Sequence, residues 1–472
     1  MSELHQIESL FGDFTGENVI SVDELPSSGS NRRYFRVKGD TRTLIAVRGT
    51  CREENVAFWT LAKDFRDKGL PVPKVYAHSE DFMYYLQEDL GNDILFQRLA
   101  SGREKGEYSD QEKALLFKTV RALPALQFEG AKDLDWSVCF PQPEFDERMI
   151  SFDQNYFKYC FLKATGIEFS EIRLDEDFRR MSGVLMGCMT DTFLYRDFQS
   201  RNVMLVDDEP YFIDFQGGRK GPIYYDVASF IWQAKANYSD ELKMELVDAY
   251  LDALKEYMPV DRDEFLRILR HFVLFRTLQV LGAYGFRGYF EKKPHFLQSV
   301  PYAIANLRKL LAEPFEEYPY LSGLLTELTQ MRQYRESQGT LEVRVYSFAY
   351  KKGIPNDISG NGGGYVFDCR ALENPGKYEH YRHFNGLDKE VIDFIENEGG
   401  VYKFLDSVYA LADAHVQRYI ERKFTSLMFC CGCTGGQHRS VYCAQHLAEH
   451  IAQKFNVRVK LYHRELEKEQ DF

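Results

Sequence analysis

The chain has 472 residues, which predicts two or three domains, and its 44% hydrophobic and 28% charged residues are ordinary for a globular protein. A net charge of −13 argues against bulk attraction to nucleic acid, and no apolar stretch is long enough for a transmembrane helix. Nine cysteines, an odd number, argue against a disulfide framework, and the polar, acidic N-terminus lacks the pattern of a signal peptide. We therefore predict a cytoplasmic protein without membrane attachment.

The first 92 residues are predicted to be rich in strands. Residues 34–37 and 43–47 form two predicted strands around a turn, a helix is predicted over 53–68, and another strand over 83–86. Residues 93–312 have a mainly helical pattern, interrupted by a predicted hairpin whose short apolar strands are 203–206 and 211–213.

A separate α/β pattern begins near residue 341, after a segment of prolines, aromatics and charges at 313–338 that we interpret as a linker. Predicted strands at 341–349, 426–431 and 457–462, the last of them predicted to end the fold, alternate with helices, one of them at 441–454. A Gly-rich loop lies at 360–364. Alternating strands and helices predict a small domain with a parallel sheet.

The segment 194–204 has the spacing of a phosphoryl-transfer site. Asp197 and Asn202 are five residues apart, as in a kinase catalytic loop, and Asp214 follows at the end of the predicted hairpin. Phosphoryl transfer needs a carboxylate to orient the attacking hydroxyl and hard oxygen ligands for Mg²⁺. We predict that Asp197 is the catalytic base, and that Asn202 and Asp214 are the metal ligands.

The N-terminal segment offers groups for the nucleotide. The loop of small residues between two strands is interpreted either as a cover over nucleotide phosphates or as an ordinary hairpin turn. Arg48 stands where kinases place a phosphate-binding lysine, with Glu53 or Glu54 to orient it, and its alternative interpretation is a solvated arginine at the strand edge. Glu88 ends the last N-terminal strand, where a kinase hinge meets adenine. The predicted ATP- and phosphate-binding residues are Ser28, Gly29, Ser30, Asn31, Arg32, Arg48, Glu54 and Glu88.

The order of these motifs, followed by the segment 221–229, resembles the aminoglycoside/choline phosphotransferase family. Within it, segments 29–36 and 195–202 are similar to the bacterial N-acetylmuramate/N-acetylglucosamine kinases of cell-wall recycling. The resemblance covers residues 1–335 and implies ATP, Mg²⁺, transfer to the anomeric hydroxyl of an amino sugar, and a structural role for Asp226 in bracing the catalytic loop. Tyr195 replaces the usual histidine, and Arg48 replaces the usual lysine.

A second constellation lies at 430–440, where a Gly-rich turn between a strand and a helix favours an anion. Three interpretations compete: binding of a phosphate metabolite with Arg439 as a bidentate donor, phosphatase-type catalysis by Cys433, and a purely structural turn. Zinc is disfavoured, because Cys-Cys-x-Cys is not a usual ligand spacing.

Residues 341–468 closely resemble the C-terminal domain of the RNase adapter RapZ, through segments 347–355, 367–375, 386–389 and 432–442. That family domain binds small RNA and senses glucosamine-6-phosphate. The resemblance implies a basic pocket with a possible contribution from His463 and Arg464. The predicted anion-binding residues are Arg370, Cys433, Gly435, Gly436, His438, Arg439 and Ser440. The acidic tail after residue 465 argues against RNA and leaves a sugar phosphate as the favoured partner.

The sequence thus predicts an α+β protein-kinase-like bilobal fold followed by a small α/β domain with a mainly parallel sheet. The predicted parts are an N-lobe at 1–92, a helical C-lobe with the catalytic loop at 93–335, and the RapZ-like domain at 341–472. The predicted activity is an ATP-dependent amino-sugar kinase. The alternative hypothesis is an RNA-binding adaptor with a degenerate kinase as its sensor.

Overall fold

The computed structural model describes residues 3–26, 32–331, 334, 341–357, 364–422, 424–455 and 457–472. The chain forms two compact units. The first consists of Met1–Ala283 and Tyr302–Thr326, and the second of Tyr284–Pro301 and Glu327–Phe472.

The first unit begins with an antiparallel sheet in the strand order β1-β2-β3-β5-β4. Its strands are β1 (Ser21–Glu24), β2 (Arg33–Lys38), β3 (Thr43–Arg48), β4 (Val75–His78) and β5 (Tyr84–Glu88). Helix α1 (Glu3–Thr15) packs on one face through Ile7 and Phe11, which share a core with Leu44, Ala46 and Leu86. Helix α2 (Arg52–Asp67) follows β3.

Helices dominate the rest of this part of the chain. They are α3 (Leu95–Arg98), α4 (Ala100–Lys105), α5 (Asp110–Ala131), α6 (Glu147–Phe157), α7 (Glu171–Met186), α8 (Tyr224–Ile231), α9 (Asp240–Leu254), α10 (Arg262–Gly285), α11 (Val300–Leu310) and α12 (Pro319–Gln330). No helix within the described ranges combines the length and apolar character needed to cross a bilayer.

Two short two-stranded sheets position the predicted catalytic residues. Strands β6 (Thr192–Leu194) and β9 (Arg219–Gly221) pair antiparallel, as do β7 (Val203–Val206) and β8 (Glu209–Phe212). The predicted hairpin is confirmed, and it returns the chain so that the Ile213 N–H donates to the Asn202 carbonyl at 3.0 Å.

The second unit contains a five-stranded sheet in the order β11-β12-β10-β13-β14. Its elements are β10 (Glu342–Ala349), β11 (Val366–Asp368), α13 (Lys389–Asn397), α14 (Gly400–Glu421), β12 (Ser426–Cys433), α15 (Arg439–Lys454), β13 (Arg458–His463) and β14 (Lys468–Asp471). All pairings are parallel except that of β13 with β14. The predicted fold class, including the mainly parallel sheet, is confirmed.

Two elements differ from the sequence-based expectation. The N-terminal segment, expected to be rich in strands, begins with helix α1, which was not predicted from the sequence. The chain also continues past β13 into β14, although 457–462 was expected to be the last strand. The charged sequence Lys-Glu-Gln-Asp of β14 is typical of a solvated tail. It can form a strand because β14 lies at the edge of the sheet, where all four side chains stay exposed to solvent.

Candidate active site

The catalytic loop, residues 195–202, is closed by the side chain of Asn202. Its Nδ2 donates to the Asp197 carbonyl at 2.9 Å and to Oδ2 of Asp214 at 3.4 Å. The three residues predicted to act in phosphoryl transfer therefore lie together. Because Nδ2 makes both contacts, the amide oxygen of Asn202 is the atom that can face a cation.

Asp214 carries a charge that its surroundings do not fully balance. Burial, and after it the neighbouring Asp197 carboxylate, raise the pKa of Asp214 to about 6. Gln216 donates to Oδ1 of Asp214 at 2.7 Å, and Arg32 lies 3.9 Å away. Two adjacent carboxylates with one distant guanidinium form an environment that favours an additional cation.

The backbone of the catalytic loop is strained and held from two sides. Arg196 has φ +79°, a left-handed conformation that is uncommon for a residue with a side chain. The buried Asp226 carboxylate accepts the backbone N–H of Tyr195 at 2.8 Å and that of Arg196 at 2.9 Å. The Arg196 guanidinium also donates to both oxygens of Asp153, at 2.8 and 2.9 Å.

Aromatic packing connects this loop to Phe215, the residue after Asp214. The Tyr195 ring is buried against Phe198, Phe212 and Phe215, and its hydroxyl donates to the Ile213 carbonyl. The Phe215 ring stacks on Phe58 of α2 at 4.9 Å between ring centres. Tyr195, which replaces a histidine, therefore packs in the core and adds a hydrogen bond to the segment that carries Asp214.

The structure corrects the predicted partner of Glu54. Nη2 of Arg32 lies 3.0 Å from Oε1 of Glu54, whereas Nε of Arg48 lies 3.3 Å from Oε1 of Glu3 in α1. Side chains alternate between the faces of a strand, so Arg48 shares the face of Leu44 and Ala46, which packs against α1. Arg32 is on the opposite face and reaches both α2 and Asp214.

Of the remaining predicted nucleotide-binding residues, Glu88 is the last residue of β5 and the others lie outside the described ranges. The Glu88 N–H donates to the Lys74 carbonyl at 2.8 Å, and its side chain accepts the Lys74 N–H at 3.0 Å. The Glu88 N–H is thus already used between strands. Ser28, Gly29, Ser30 and Asn31 lie outside the described residues.

The donor set fits Mg²⁺, since carboxylate and amide oxygens are the protein ligands that this ion prefers. Asn202 and Asp214 would hold the ion, whose chemistry is to neutralise charge on transferring phosphate oxygens. Within the described ranges, no group of three or more His, Cys, Asp and Glu residues forms a different metal site.

In the second unit, residues 433–440 form a tight turn that we call the Cys433 loop. The buried Cys433 thiol lies 3.1 Å from Oγ of Ser440 and accepts the Gly436 N–H at 3.2 Å. Gly436 has φ +74°, which favours glycine, and Gly435 is exposed. Helix α15 starts at Arg439, near the end of this loop.

The three basic residues predicted near this loop contact other protein groups. Arg439 is buried, and its Nη1 donates to the carbonyls of Arg370 and Leu372, at 3.1 and 2.8 Å. Arg370 pairs with Asp368 at 2.6 Å, and Nε2 of His438 lies 3.1 Å from the Tyr381 carbonyl. One end of the Arg439 guanidinium, Nη1, therefore holds the segment 370–372 in place, and the bidentate contact of Arg439 with a phosphate stays a prediction.

His463, expected as a possible member of a basic pocket, is instead a core residue with no exposed surface. Its Nδ1 lies 2.9 Å from Oγ of Ser347 and its Nε2 lies 3.2 Å from Oε1 of Gln445. Burial, with a smaller contribution from Lys468, lowers the pKa of His463 to about 4. A neutral, doubly hydrogen-bonded histidine has a structural role.

This burial predicts that the second unit loses stability in acid. Between pH 6.5 and 4 the unfolded chain binds a proton at His463 and the folded chain does not, so lowering the pH favours unfolding. Between pH 7.5 and pH 5.0 we expect His463 to lower the free energy of unfolding of the second unit by about 2 kcal/mol. Amide hydrogen exchange of β10 and α15 in the intact chain, followed as a function of pH, measures this loss of stability.

The control for this experiment replaces an exposed histidine. His463→Gln should flatten the pH dependence of exchange in β10 and α15, whereas His380→Gln, at an exposed site, should leave it unchanged. An equal pH dependence in wild type and His463→Gln would contradict the assignment.

Comparison with known proteins identifies the first part of the chain. The model of the phosphotransferase enzyme family matches residues 21–263, just over half of the chain. The chain belongs to this family. The predicted enzyme class, a phosphotransferase, is therefore confirmed.

The model of the RapZ C-terminal domain matches residues 341–467, which confirms the second resemblance. Relatives of this region, each called a nucleotide-binding protein, include those of Dechloromonas aromatica, 41% identical over 133 residues, and Thermosipho melanesiensis, 39% identical over 124 residues. The matches cover 28% and 26% of this chain, and 45% and 42% of the relatives, so the chain spans less than half the length of either.

Among solved structures, choline kinase LicA from Streptococcus pneumoniae is similar with a TM-score of 0.46 and 14% identity. The similarity covers 66% of this chain and all of that one.

Sequence reasoning missed two residues of this phosphotransferase site. Asp153 is 43 positions from Arg196, and no local pattern joins a helical aspartate to a distant loop arginine. Gln233 is 33 positions from Ser200, and its Oε1 accepts the backbone N–H of Ser200 at 3.1 Å and the Ser200 hydroxyl at 2.8 Å. In contrast, the pairing of Arg32 with Glu54 had a usable signal in the alternation of side chains along β2.

Proposed function

We propose that this phosphotransferase is an ATP- and Mg²⁺-dependent kinase for an amino sugar of the N-acetylmuramate/N-acetylglucosamine type, acting at the anomeric hydroxyl in the cytoplasm. The observation that carries the proposal is the convergence of Asp197, Asn202 and Asp214 around one site. The choice of sugar rests on the resemblance of segments 29–36 and 195–202 to amino-sugar kinases.

Each residue then has a distinct role in transfer. Asp197 accepts the proton of the sugar hydroxyl and orients its oxygen, while Asn202 and Asp214 hold the metal ion. Arg32, fixed by Glu54 at 3.0 Å, is placed to donate to the phosphates. Asp226 keeps the backbone of the catalytic loop in its strained conformation through its two N–H contacts.

The experiment that tests the proposal is ATP consumption by the purified chain in the presence of a sugar panel. The panel contains N-acetylmuramate, N-acetylglucosamine, and choline as an acceptor of a different class. We expect ADP formation that depends on an amino sugar and on Mg²⁺. Turnover with choline alone, or no turnover with either amino sugar, would contradict the amino-sugar assignment.

We further propose that the RapZ C-terminal domain binds a sugar phosphate at the Cys433 loop. The proposal is supported by the domain resemblance and by a glycine-rich turn that leads directly into α15. The hydrogen bonds of Arg439 to the segment 370–372 suit a role in shaping the loop, which leaves backbone N–H groups to contact the phosphate.

Two glycine substitutions in this loop provide a matched test. A Cβ at Gly436 would contact Glu465 and lie 2.9 Å from the Ala349 nitrogen, and its φ of +74° disfavours alanine, so Gly436→Ala must displace the loop. A Cβ at Gly435 would meet nothing within 4 Å. We expect titration calorimetry with glucosamine 6-phosphate to show at least about tenfold weaker binding for Gly436→Ala than for Gly435→Ala. Equal affinities would contradict this location.

A further inference from the structure

A buried arginine in the first unit has no acidic partner. Arg219, in β9, is 2% exposed, and its Nε and Nη2 donate to the Gly217 carbonyl at 3.1 and 2.7 Å. Across the ranges that the structure describes, no carboxylate forms an ion pair with Arg219, and its Nη1 is buried without a hydrogen-bond partner. An unpaired charge in the interior costs free energy, so a buried guanidinium normally faces a counter-ion.

The pairing of β6 with β9 places this arginine next to the catalytic loop. Arg219 lies opposite Leu194 in the register, and Arg196 follows Leu194 by two residues. Nη1 of Arg196 and the Tyr225 hydroxyl are also buried, and neither has a partner among the described residues. The guanidinium carbon of Arg196 lies 5.3 Å from the ring centre of Tyr225. Three unpaired polar atoms, each able to donate a hydrogen bond, therefore occupy one part of the core.

The neighbouring titratable groups leave the charge of Arg219 uncompensated. Both oxygens of Asp153 accept from Nη2 of Arg196, at 2.9 and 2.8 Å, so this carboxylate is committed to the other arginine. Burial raises the pKa of Cys139 to about 11 and also raises the pKa of Tyr225, so both groups are neutral at pH 7. Burial, followed by the charge of Arg196, lowers the pKa of Arg219 to about 10, which leaves Arg219 charged at pH 7.

The donor set and its burial define the class of ligand that fits. Guanidinium and hydroxyl groups can all donate to an anion, which supplies the missing acceptor and the missing negative charge together. A water molecule would accept hydrogen bonds without balancing the charge. Because the three atoms are enclosed by protein, the ion must be small, which excludes a nucleotide or a sugar.

We propose that Arg219, Arg196 and Tyr225 bind a monoatomic anion, such as chloride, in the core of the first unit. The inference concerns an ion that stabilises the fold, and it does not depend on which acceptor the kinase uses. Because Arg196 directly precedes Asp197, the ion supports the backbone that carries the proposed base.

The experiment compares calorimetric unfolding of the intact chain in sodium chloride and in sodium gluconate at equal ionic strength, since gluconate is too large for an enclosed site. We expect chloride to raise the melting temperature of the first unit in a saturable manner, by about 5 °C at roughly 100 times the dissociation constant. Arg219→Met, which removes the charge and the donors, should abolish this shift. Lys220→Met, at the next residue of β9, changes a partly exposed side chain that pairs with Asp191 and should keep the shift.

A second variant and a crystal keep the test decisive if Arg219→Met does not fold. Tyr225→Phe removes only the hydroxyl and should weaken chloride binding by about fivefold. In a crystal grown in bromide, an anomalous difference peak should lie between Nη1 of Arg196 and Nη1 of Arg219. Equal melting temperatures of wild type in the two salts, an unchanged chloride shift in Arg219→Met or Tyr225→Phe, or a water without anomalous signal at this position would overturn the site.

Discussion

Asp197→Asn is expected to lower kcat for phosphoryl transfer by about 1,000-fold, within the range for loss of a positioned general base. The amide cannot accept the proton of the sugar hydroxyl, although it keeps the shape of the side chain. Asn202 contacts the backbone carbonyl of Asp197, so the loop should remain closed in the variant. Coupled measurement of ADP formation under saturating ATP and sugar gives kcat, and circular dichroism checks the fold.

The matched control is Asp191→Asn, which changes an aspartate whose side chain is 90% exposed and pairs with Lys220. This variant should keep kcat within about twofold of wild type, since exposed ion pairs contribute little. A kcat above about one-tenth of the wild-type value in Asp197→Asn would contradict the role of this carboxylate as the base.

Arg32→Gln is expected to lower kcat/KM for ATP by about 100-fold. Arg32 is 2% exposed, contacts Glu54 and lies beside Asp214, so its loss removes charge-assisted bonds that contribute about 2–3 kcal/mol. Steady-state kinetics with ATP as the varied substrate provide the measurement.

Arg48→Gln is the comparison that distinguishes the two arginines. Arg48 is partly exposed and pairs with Glu3 on the other face of the sheet, so its removal should change kcat/KM by less than about threefold. The reverse ranking, with Arg48→Gln the more damaged variant, would restore Arg48 to the position of the kinase lysine and contradict the assignment of Arg32.

Local sequence patterns were sufficient for the elements that carry the site. The hairpin between Asn202 and Asp214 was predictable because apolar strands flank a short acidic turn, and the observed strands β7 and β8 agree with it. The parallel sheet of the second unit was predictable from alternating strands and helices. The spacing from Asp197 to Asn202 identified a loop that the structure closes with a direct contact.

Partners far apart in sequence were not predictable in the same way. Glu54 pairs with Arg32 because of the face of the sheet on which each residue lies, and a search by spacing chose Arg48. The RapZ resemblance implied a possible place for His463 in a basic pocket, yet its ring is enclosed by Ser347 and Gln445. Such contacts depend on tertiary packing, which a single sequence does not encode locally.

The most direct test of the central claim is the identity of the phosphorylated product. Phosphorus NMR of a reaction with ATP, Mg²⁺ and an N-acetylated amino sugar should show one sugar phosphate formed for each ADP, with the phosphate on the anomeric carbon and no signal with Asp197→Asn. Release of inorganic phosphate without a sugar phosphate would contradict the proposed kinase, and so would product formation that Asp197→Asn leaves unchanged.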